Sequence, residues 1–327
     1  MIIKAEQENK TEKGRGNMSS KSTTGRYKNT HMTRGQKTLL LMTVPSILFI
    51  IVFSYLPISG WIYSFFDYRI GYKLSTCEFV GLDNFRYVFG DPYILKVIGN
   101  TLIISLAGLL GLPLAGMIAI LLSEVRGRMF KKTVQTAITI PNFISWIIIY
   151  SIMFSLFSND GLLTTVIRGI TGETEATTTL LTNPNTAKLF MILTNIWKTV
   201  GYNSIIFFAA ITGIDSQLYD AAAVDGAGRW KKMLHITIPG MLPTLITLLI
   251  ISIGAILNNG FEQYYVFVNP MIQEKMEVLD YYVYRIGMLN NDIPASTAVS
   301  MVKTFISVGL VFGVNKLSKK TLGQSIL

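Results

Sequence analysis

From Leu39 to Phe66 the chain runs 28 residues without a charged side chain. That exceeds the roughly 20 residues that carry a helix across a bilayer. It also exceeds the apolar core of a secretory signal, about 7–15 residues, and no small-residue cleavage site follows it. A retained first membrane span is therefore expected. Further apolar blocks lie at about 98–122, 133–157, 188–211, 236–257 and 298–317. In lipid each backbone polar group must find its partner within the protein, and the helix does so inside one segment. The expectation is an all-α polytopic membrane protein with six transmembrane helices between 39 and 317. Composition agrees, with half the residues hydrophobic, 15% charged and a mean hydropathy of +0.44. A soluble α/β core would divide its apolar residues into strand-length runs, and these blocks are longer.

Basic residues orient the spans. With the N-terminus inside, the inner segments 1–38, 123–132, 212–235 and 318–327, together with Lys316, hold 19 Lys and Arg. The outer segments 67–97, 158–187 and 258–297 hold 7, and Lys188, Lys198 and Lys303 fall within or beside spans. Cytoplasmic loops carry such an excess, so both termini are expected on the cytoplasmic side. The same distribution accounts for the net charge of +10 without a nucleic-acid partner. The tail 1–38, with nine Lys and Arg and three Glu, has too few apolar residues for a core and reads as disordered. The C-terminal segment 318–327 reads as a short cytoplasmic tail.

Several chemistries are excluded. One cysteine, Cys77, permits no internal disulfide, and two histidines, His31 and His235, do not make a metal site. No phosphate-cradling G-x-x-x-x-G-K-[ST] loop occurs, so the chain is not expected to bind ATP, a cofactor or a metal, and it is not expected to be an enzyme. No Asp or Glu falls inside any expected span, which weighs against an ion-coupled secondary transporter. A stand-alone transporter or channel for a small polar solute is the alternative reading.

One inner connection, 212–239, is long. Asp215 or Ser216 caps the start of a helix, DSQLYDAAAVDGAG, with Tyr219, Ala222, Ala223 and Gly226 on one narrow face. Gly226 and Gly228 end it. A second short helix, RWKKMLHI, follows and is expected to break at Pro239 and Pro243. Physics alone leaves two readings: a connector with Lys231 and Lys232 on lipid headgroups, or a docking element for a soluble partner.

DAAAVDGAGRWKKMLHITIP resembles the EAA loop of ABC importer permeases: Glu-Ala-Ala, three residues, Gly, nine residues, Ile, one residue, Leu-Pro. The matching positions are Asp220-Ala221-Ala222, Gly226, Ile236 and Ile238-Pro239, with Asp in place of Glu and Ile in place of Leu. FVGLDNFRYVF (79–89), NTLIISL (100–106), IPNFISW (140–146), IWKTVGYNSIIF (196–207) and LDYYVYRIG (279–287) look like the carbohydrate-uptake branch. Within it they look most like the permeases for polysaccharide fragments and multiple sugars, over about residues 35–327. The resemblance implies that Tyr219, Asp220, Ala221, Ala222, Asp225, Gly226, Arg229, Ile236 and Pro239 couple to an ATPase. It further implies two ATPase copies, a second permease, an extracytoplasmic sugar-binding protein and an oligosaccharide substrate.

Polar residues inside spans mark candidate pathways, because lipid exposure is costly for them. Block 188–211 carries Asn195, Trp197, Lys198, Thr199, Tyr202 and Asn203; of these, Asn195, Lys198, Thr199 and Tyr202 sit at i, i+3, i+4 and i+7. Amides, hydroxyls and an aromatic suit a sugar, and they equally suit interhelical hydrogen bonds that only hold the bundle. Asn258, Asn259, Glu262, Gln263 and Tyr264 line an entrance or form a solvated loop. Lys303 snorkels, pairs with a neighbour or attracts an acidic sugar. Asn142 and Trp146 read as helix packing.

Overall fold

The computed structural model describes residues 34–171 and 181–322. Residues 1–33 of the expected tail lie outside the described residues, while 34–38 are helical. The chain divides into two units, up to Ile58 and from Ser59 onward. The first is α1 (Arg34–Ile50), followed by one wide π turn, Ile51–Tyr55. Its apolar side chains, among them Leu41, Met42 and Phe49, are exposed, as expected of a helix whose surroundings are hydrocarbon.

The second unit is helical, and no strand occurs among the described residues; a single bridge pairs Phe66 with Phe79. Its helices are α2 (Asp83–Gly90), α3 (Pro92–Gly108), α4 (Gly111–Glu124), α5 (Arg128–Phe143), α6 (Trp146–Phe157), α7 (Leu162–Thr171) and α8 (Ala187–Thr212). Then follow α9 (Ser216–Val224), α10 (Arg229–Lys232), α11 (Ile238–Gly254), α12 (Phe261–Phe267), α13 (Gln273–Met276), α14 (Leu279–Tyr284) and α15 (Ile293–Leu322). The segment 318–322, expected as tail, is the last turn of α15.

Five helical stretches among the described residues are long and apolar enough to cross a membrane: Lys37–Phe65, Pro92–Glu124, Trp146–Ile170, Arg229–Gly254 and Ile293–Lys320. The block 188–211 is not among them. Its helix, α8, has 26 residues, about 39 Å at roughly 1.5 Å per residue, so its length suffices. Lys188, Asn195, Lys198 and Asn203 dilute its hydropathy.

Two expected continuities change. The block 133–157 breaks into α5 and α6 at Phe143–Ser145, because Pro141 weakens the helix end and Ser145 caps the next helix, accepting the Ile148 N–H at 3.4 Å. Conversely, Pro239 and Pro243 do not stop the second helix of the connection. Arg229–Gly254 is one continuous helical stretch. A π turn, Met233–Thr237, lies just before Pro239, and the Ile238 N–H reaches back to the Met233 carbonyl. That wider turn makes room for a proline ring that would strike the preceding turn of a regular helix.

Between membrane helices, packing comes from shape and small residues, because lipid is as apolar as leucine. Gly201 of α8 lies on the backbone of α5: a Cβ there would sit 1.9 Å from the Ile138 carbonyl oxygen. Ala115, Ala119, Phe207, Ile211 and Met241 join α4, α8 and α11 in one buried cluster. A second cluster, including Ile104, Met191, Ile192, Tyr264 and Phe267, packs α12 onto α3 and α8. These contacts frame a polar cavity.

Candidate functional site: a two-armed bracket and a polar cavity

The connection 212–239 folds as a bracket of two helical arms. Asp215 opens the first arm by accepting the Gln217 N–H at 2.9 Å. The arm ends in a Schellman turn: the Ala227 N–H bonds the Ala222 carbonyl at 2.8 Å and the Gly226 N–H bonds that of Ala223 at 3.1 Å. Gly226 takes φ +72° to make this turn, the left-handed region that a side chain disfavours. Nothing lies within 4 Å of a Cβ built there, so the constraint is backbone conformation rather than space. The second arm starts at Arg229 and runs on into α11. Across the bracket the Tyr219 hydroxyl meets Thr237 Oγ1 at 2.9 Å.

The narrow face expected from Tyr219, Ala222, Ala223 and Gly226 divides. Tyr219 and Ala222 are half-buried, whereas Ala223 and Gly226 are exposed with Asp220, Ala221, Asp225, Arg229 and Pro239. Ile236 is half-buried in the π turn. Val224 and Trp230 stand 89% and 75% exposed at the tips of the two arms. Leu218 and Leu234 are exposed as well, so the bracket presents several apolar side chains among its charged ones.

The second site is a cavity of ≈ 320 Å³ between α3, α4, α8 and the end of α11. Polar groups line it from three sides: Ser105; Asn195, Thr199 and Asn203; and Ser252, Asn258 and Asn259. Ile104, Leu112, Ile192 and Ile256 supply the apolar part. The lining carries amides and hydroxyls and no charged side chain. Such a surface can hydrogen-bond a neutral polyol and offers it apolar walls.

The polar residues of α8 separate on this framework. Steps of four residues, Asn195 to Thr199 to Asn203, drift about 40° each in one sense, and a step of three drifts about 60° in the other. Lys198 consequently leaves the cavity. Its ammonium, buried, donates to the carbonyls of Pro141 at 3.1 Å, Asn142 at 3.1 Å and Ile144 at 2.5 Å, and lies 5.2 Å from the Trp146 ring centre. It satisfies the orphan carbonyls at the break between α5 and α6, all three donors used. Trp197 and Tyr202, 42% and 46% exposed, do not line the cavity either.

Gln263 is buried and bridges helices, its Nε2 donating to the Met191 carbonyl at 3.0 Å and its Oε1 accepting from Asn195 at 3.1 Å. Glu262 is exposed and outside the lining. Asn259 is held from several directions: Nδ2 donates to the Thr101 carbonyl at 3.2 Å, and Oδ1 accepts the Ser105 hydroxyl. Its N–H and that of Gly260 both bond Asp280, the carboxylate that pairs with Lys303.

Ser105 and Ser252 are cavity residues that sequence reasoning missed, since a lone serine in an apolar block carries no signal of direction. It also missed Glu277, fully buried, which meets Arg285 at 2.6 and 3.2 Å, Gln273 at 3.4 Å and the Tyr93 hydroxyl. Arg285 in turn lies over the Tyr93 and Tyr282 rings, 5.7 and 5.3 Å from their centres. A buried acid so fully paired ties α3, α13 and α14 together.

Comparison with known proteins accords with this architecture. Residues 109–317 match the family described as binding-protein-dependent transport system inner membrane component. Protein LplB of Bacillus subtilis is 37% identical over 286 residues, 87% of this chain and 89% of that protein. The polygalacturonan/rhamnogalacturonan transport system permease protein YteP of the same organism is 39% identical over 287 residues, 87% of this chain and 88% of its own. Among solved structures, a chain of a bacterial ABC transporter involved in importing the acidic polysaccharide alginate superimposes with a TM-score of 0.78 at 30% identity. It covers 87% of this chain and 96% of that one. The same transporter type in complex with an alginate pentasaccharide-bound periplasmic protein gives 0.79 at 30% identity, covering 89% and 96%. The EAA-like spacing, the membrane-length helices and these likenesses agree, and the chain belongs to the binding-protein-dependent transport system inner membrane components, the non-catalytic permease subunits of ABC importers.

Proposed function

We propose that this permease subunit moves an oligosaccharide or polysaccharide fragment into the cell by alternating access, driven by a separate ATPase docked on the bracket 212–239. Six spans cross the membrane, the five long apolar stretches together with α8, which is the fourth in chain order, and both termini lie inside. A second permease completes the pathway, two ATPase copies bind below, and an extracytoplasmic binding protein delivers the sugar.

The observation that carries this reading is the continuity of the bracket's second arm with α11 through Arg229–Gly254. A push on the second arm at the exposed Trp230 is passed along this helical stretch toward Ser252 at the cavity, with Asn258 and Asn259 just past its end. Nucleotide state can then bias two permease conformations, because the ATPase touches the bracket differently in each. The uncharged amide and hydroxyl lining of the cavity supports a polyol cargo. The substrates named for YteP and for the alginate transporter support a saccharide of several units.

Co-purification with an ATPase and a second permease tests the proposal. A stable complex is expected, with ATP hydrolysis stimulated by loaded binding protein and saccharide uptake into liposomes that requires ATP. Uptake by the isolated chain without any ATPase would instead establish a channel or secondary transporter.

A further inference from the structure

We propose that Tyr219 is a positioning residue of the transport cycle. Its hydroxyl braces the first arm of the bracket onto the π turn Met233–Thr237, so that load on that arm reaches α11. The inference rests on the importer reading above and gives Tyr219 a role inside the bracket, one that needs no contact with the ATPase.

The second arm and α11 form one helical stretch, and that stretch contains a joint. Met233–Thr237 is a π turn, closed by the bond from the Ile238 N–H to the Met233 carbonyl. Helices kink at such turns, because the ladder of regular hydrogen bonds is interrupted there. A push at Trp230 on the second arm meets this joint before it meets the cavity. Val224 stands on the other arm. From Val224 a push has two routes toward α11: around the turn 225–228 at the tips, or across the base of the bracket.

The base is built to carry it. Tyr219 and Ala222 are the half-buried positions of the first arm, and the other residues of Ser216–Val224 are exposed. The tyrosine therefore faces into the bracket. Its hydroxyl meets Thr237 Oγ1 at 2.9 Å, across 18 residues of chain. Thr237 is the one buried residue of the π turn. Contacts on either side hold the two ends of this bond. Met233, at the start of the turn, and Ile238, just past it, pack against the cluster of Ala115, Phe207 and Met241. Gly240 lies against Ile214, the residue before the cap of the first arm: a Cβ on Gly240 would come 2.5 Å from Ile214 Cδ1.

The two arms are thus joined by the chain at their tips and by a hydrogen bond at their base. Such a closed figure cannot open at the π turn unless the bond breaks. Breaking it leaves the buried Thr237 hydroxyl without its partner and out of reach of bulk water, a cost that opposes the opening. Without the brace the turn flexes, and a push on the first arm is absorbed there instead of moving α11. The bond is one among many that hold the bundle, so its loss should weaken coupling and leave the fold intact.

The test uses the complex with its ATPase and second permease in nanodiscs, carrying Ser252→Cys in a Cys77→Ser background. Ser252 lies at the cavity end of α11, and its labelling by a polar maleimide is followed on this chain. The labelling rate is measured without nucleotide and after trapping with MgATP and vanadate. Tyr219→Phe is expected to shrink the effect of nucleotide on that rate about fivefold, with the ATPase co-purifying as before. Thr237→Val should give the same loss and the double variant no more, because one bond is removed in all three. Thr237→Ser keeps the hydroxyl and should keep the wild-type response. A wild-type response in Tyr219→Phe overturns the brace. So does loss of the ATPase from that variant, which makes Tyr219 a docking residue, or a double variant clearly worse than either single one. A reference complex whose labelling ignores nucleotide overturns it too, since nothing then moves along α11. The importer reading fails separately, through uptake that needs no ATPase.

Discussion

Lys303 of α15 donates to one oxygen of Asp280, whose other oxygen accepts the backbone N–H groups of Asn259 and Gly260 at 2.9 and 3.2 Å. One carboxylate therefore links the last long helix to the turn that places Asn258 and Asn259 in the cavity lining. Gly260 adopts φ +79°, so the turn has a shape that needs holding. Side-chain exposures of 13% for Lys303 and 19% for Asp280 put the pair largely out of water. Asp280→Ala leaves the lysine charge and both N–H groups unmatched, and a loss of about 1–3 kcal/mol is expected. Saccharide binding should weaken together with thermal stability. Adding Lys303→Met should recover stability by removing the stranded charge, yet not binding, because the turn remains untethered. Recovery of both would show that the turn does not depend on Asp280.

The Schellman turn at Gly226 predicts a graded series. Gly226→Asn should be mild, Gly226→Ala should cost about 1 kcal/mol, and Gly226→Val more, since β-branching strongly disfavours φ +72°. The bilayer helices keep their own hydrogen bonds, so membrane insertion should be normal throughout. Stimulated ATP hydrolysis and co-purification of the ATPase should fall in the same order. Asp220→Lys should give a defect milder than Gly226→Val. Wild-type transport by Gly226→Val with its ATPase still bound would remove the bracket from the coupling mechanism.

Glu277 has no exposed surface, and its partner Arg285 is 23% exposed. Glu277→Gln strands a guanidinium, and a loss of about 3–5 kcal/mol is expected, visible as a lower melting temperature in detergent. Glu277→Gln with Arg285→Met should melt closer to wild type, because neither charge is left alone. A double variant less stable than Glu277→Gln would mean that the pair is not the unit being broken.

Orientation is checked by single cysteines in a Cys77→Ser background. Met129 is 82% exposed between α4 and the body of α5, in a segment rich in Arg and Lys, and Thr76 is exposed in the opposite set of loops. Thr76→Cys should react with an impermeant thiol reagent applied to whole cells, and Met129→Cys only after permeabilisation. The reverse pattern would invert the topology.

Much of this molecule is legible without coordinates because membranes and helix ends act locally. A charge-free run from Leu39 to Phe66 needs no partner to be read as membrane-compatible. Asp215 caps its helix and Gly226 ends it because both act on backbone groups within a turn of themselves. The pairing of Lys303 was also within reach, since a lone cation in an apolar block needs a compensating group. Its partner Asp280, 23 residues away, was not named by any local rule.

What sequence determined by itself is the helical class, the apolar blocks and the bracket with its glycine hinge, since each follows from interactions spanning a few residues or from the solvent. Tertiary structure decided the rest. It sent Lys198 to the carbonyls of Pro141, Asn142 and Ile144, although it shares α8 with Asn195 and Thr199, because α5 breaks just where that ammonium can reach. It carried the helix through Pro239 by widening one turn, and it drew Ser105, Asn195 and Asn259 from three distant segments into one cavity. Helix rotation and inter-helix distance select which polar atoms meet. Those quantities are fixed by packing such as Gly201 against the Ile138 carbonyl, which relates residues far apart in the chain.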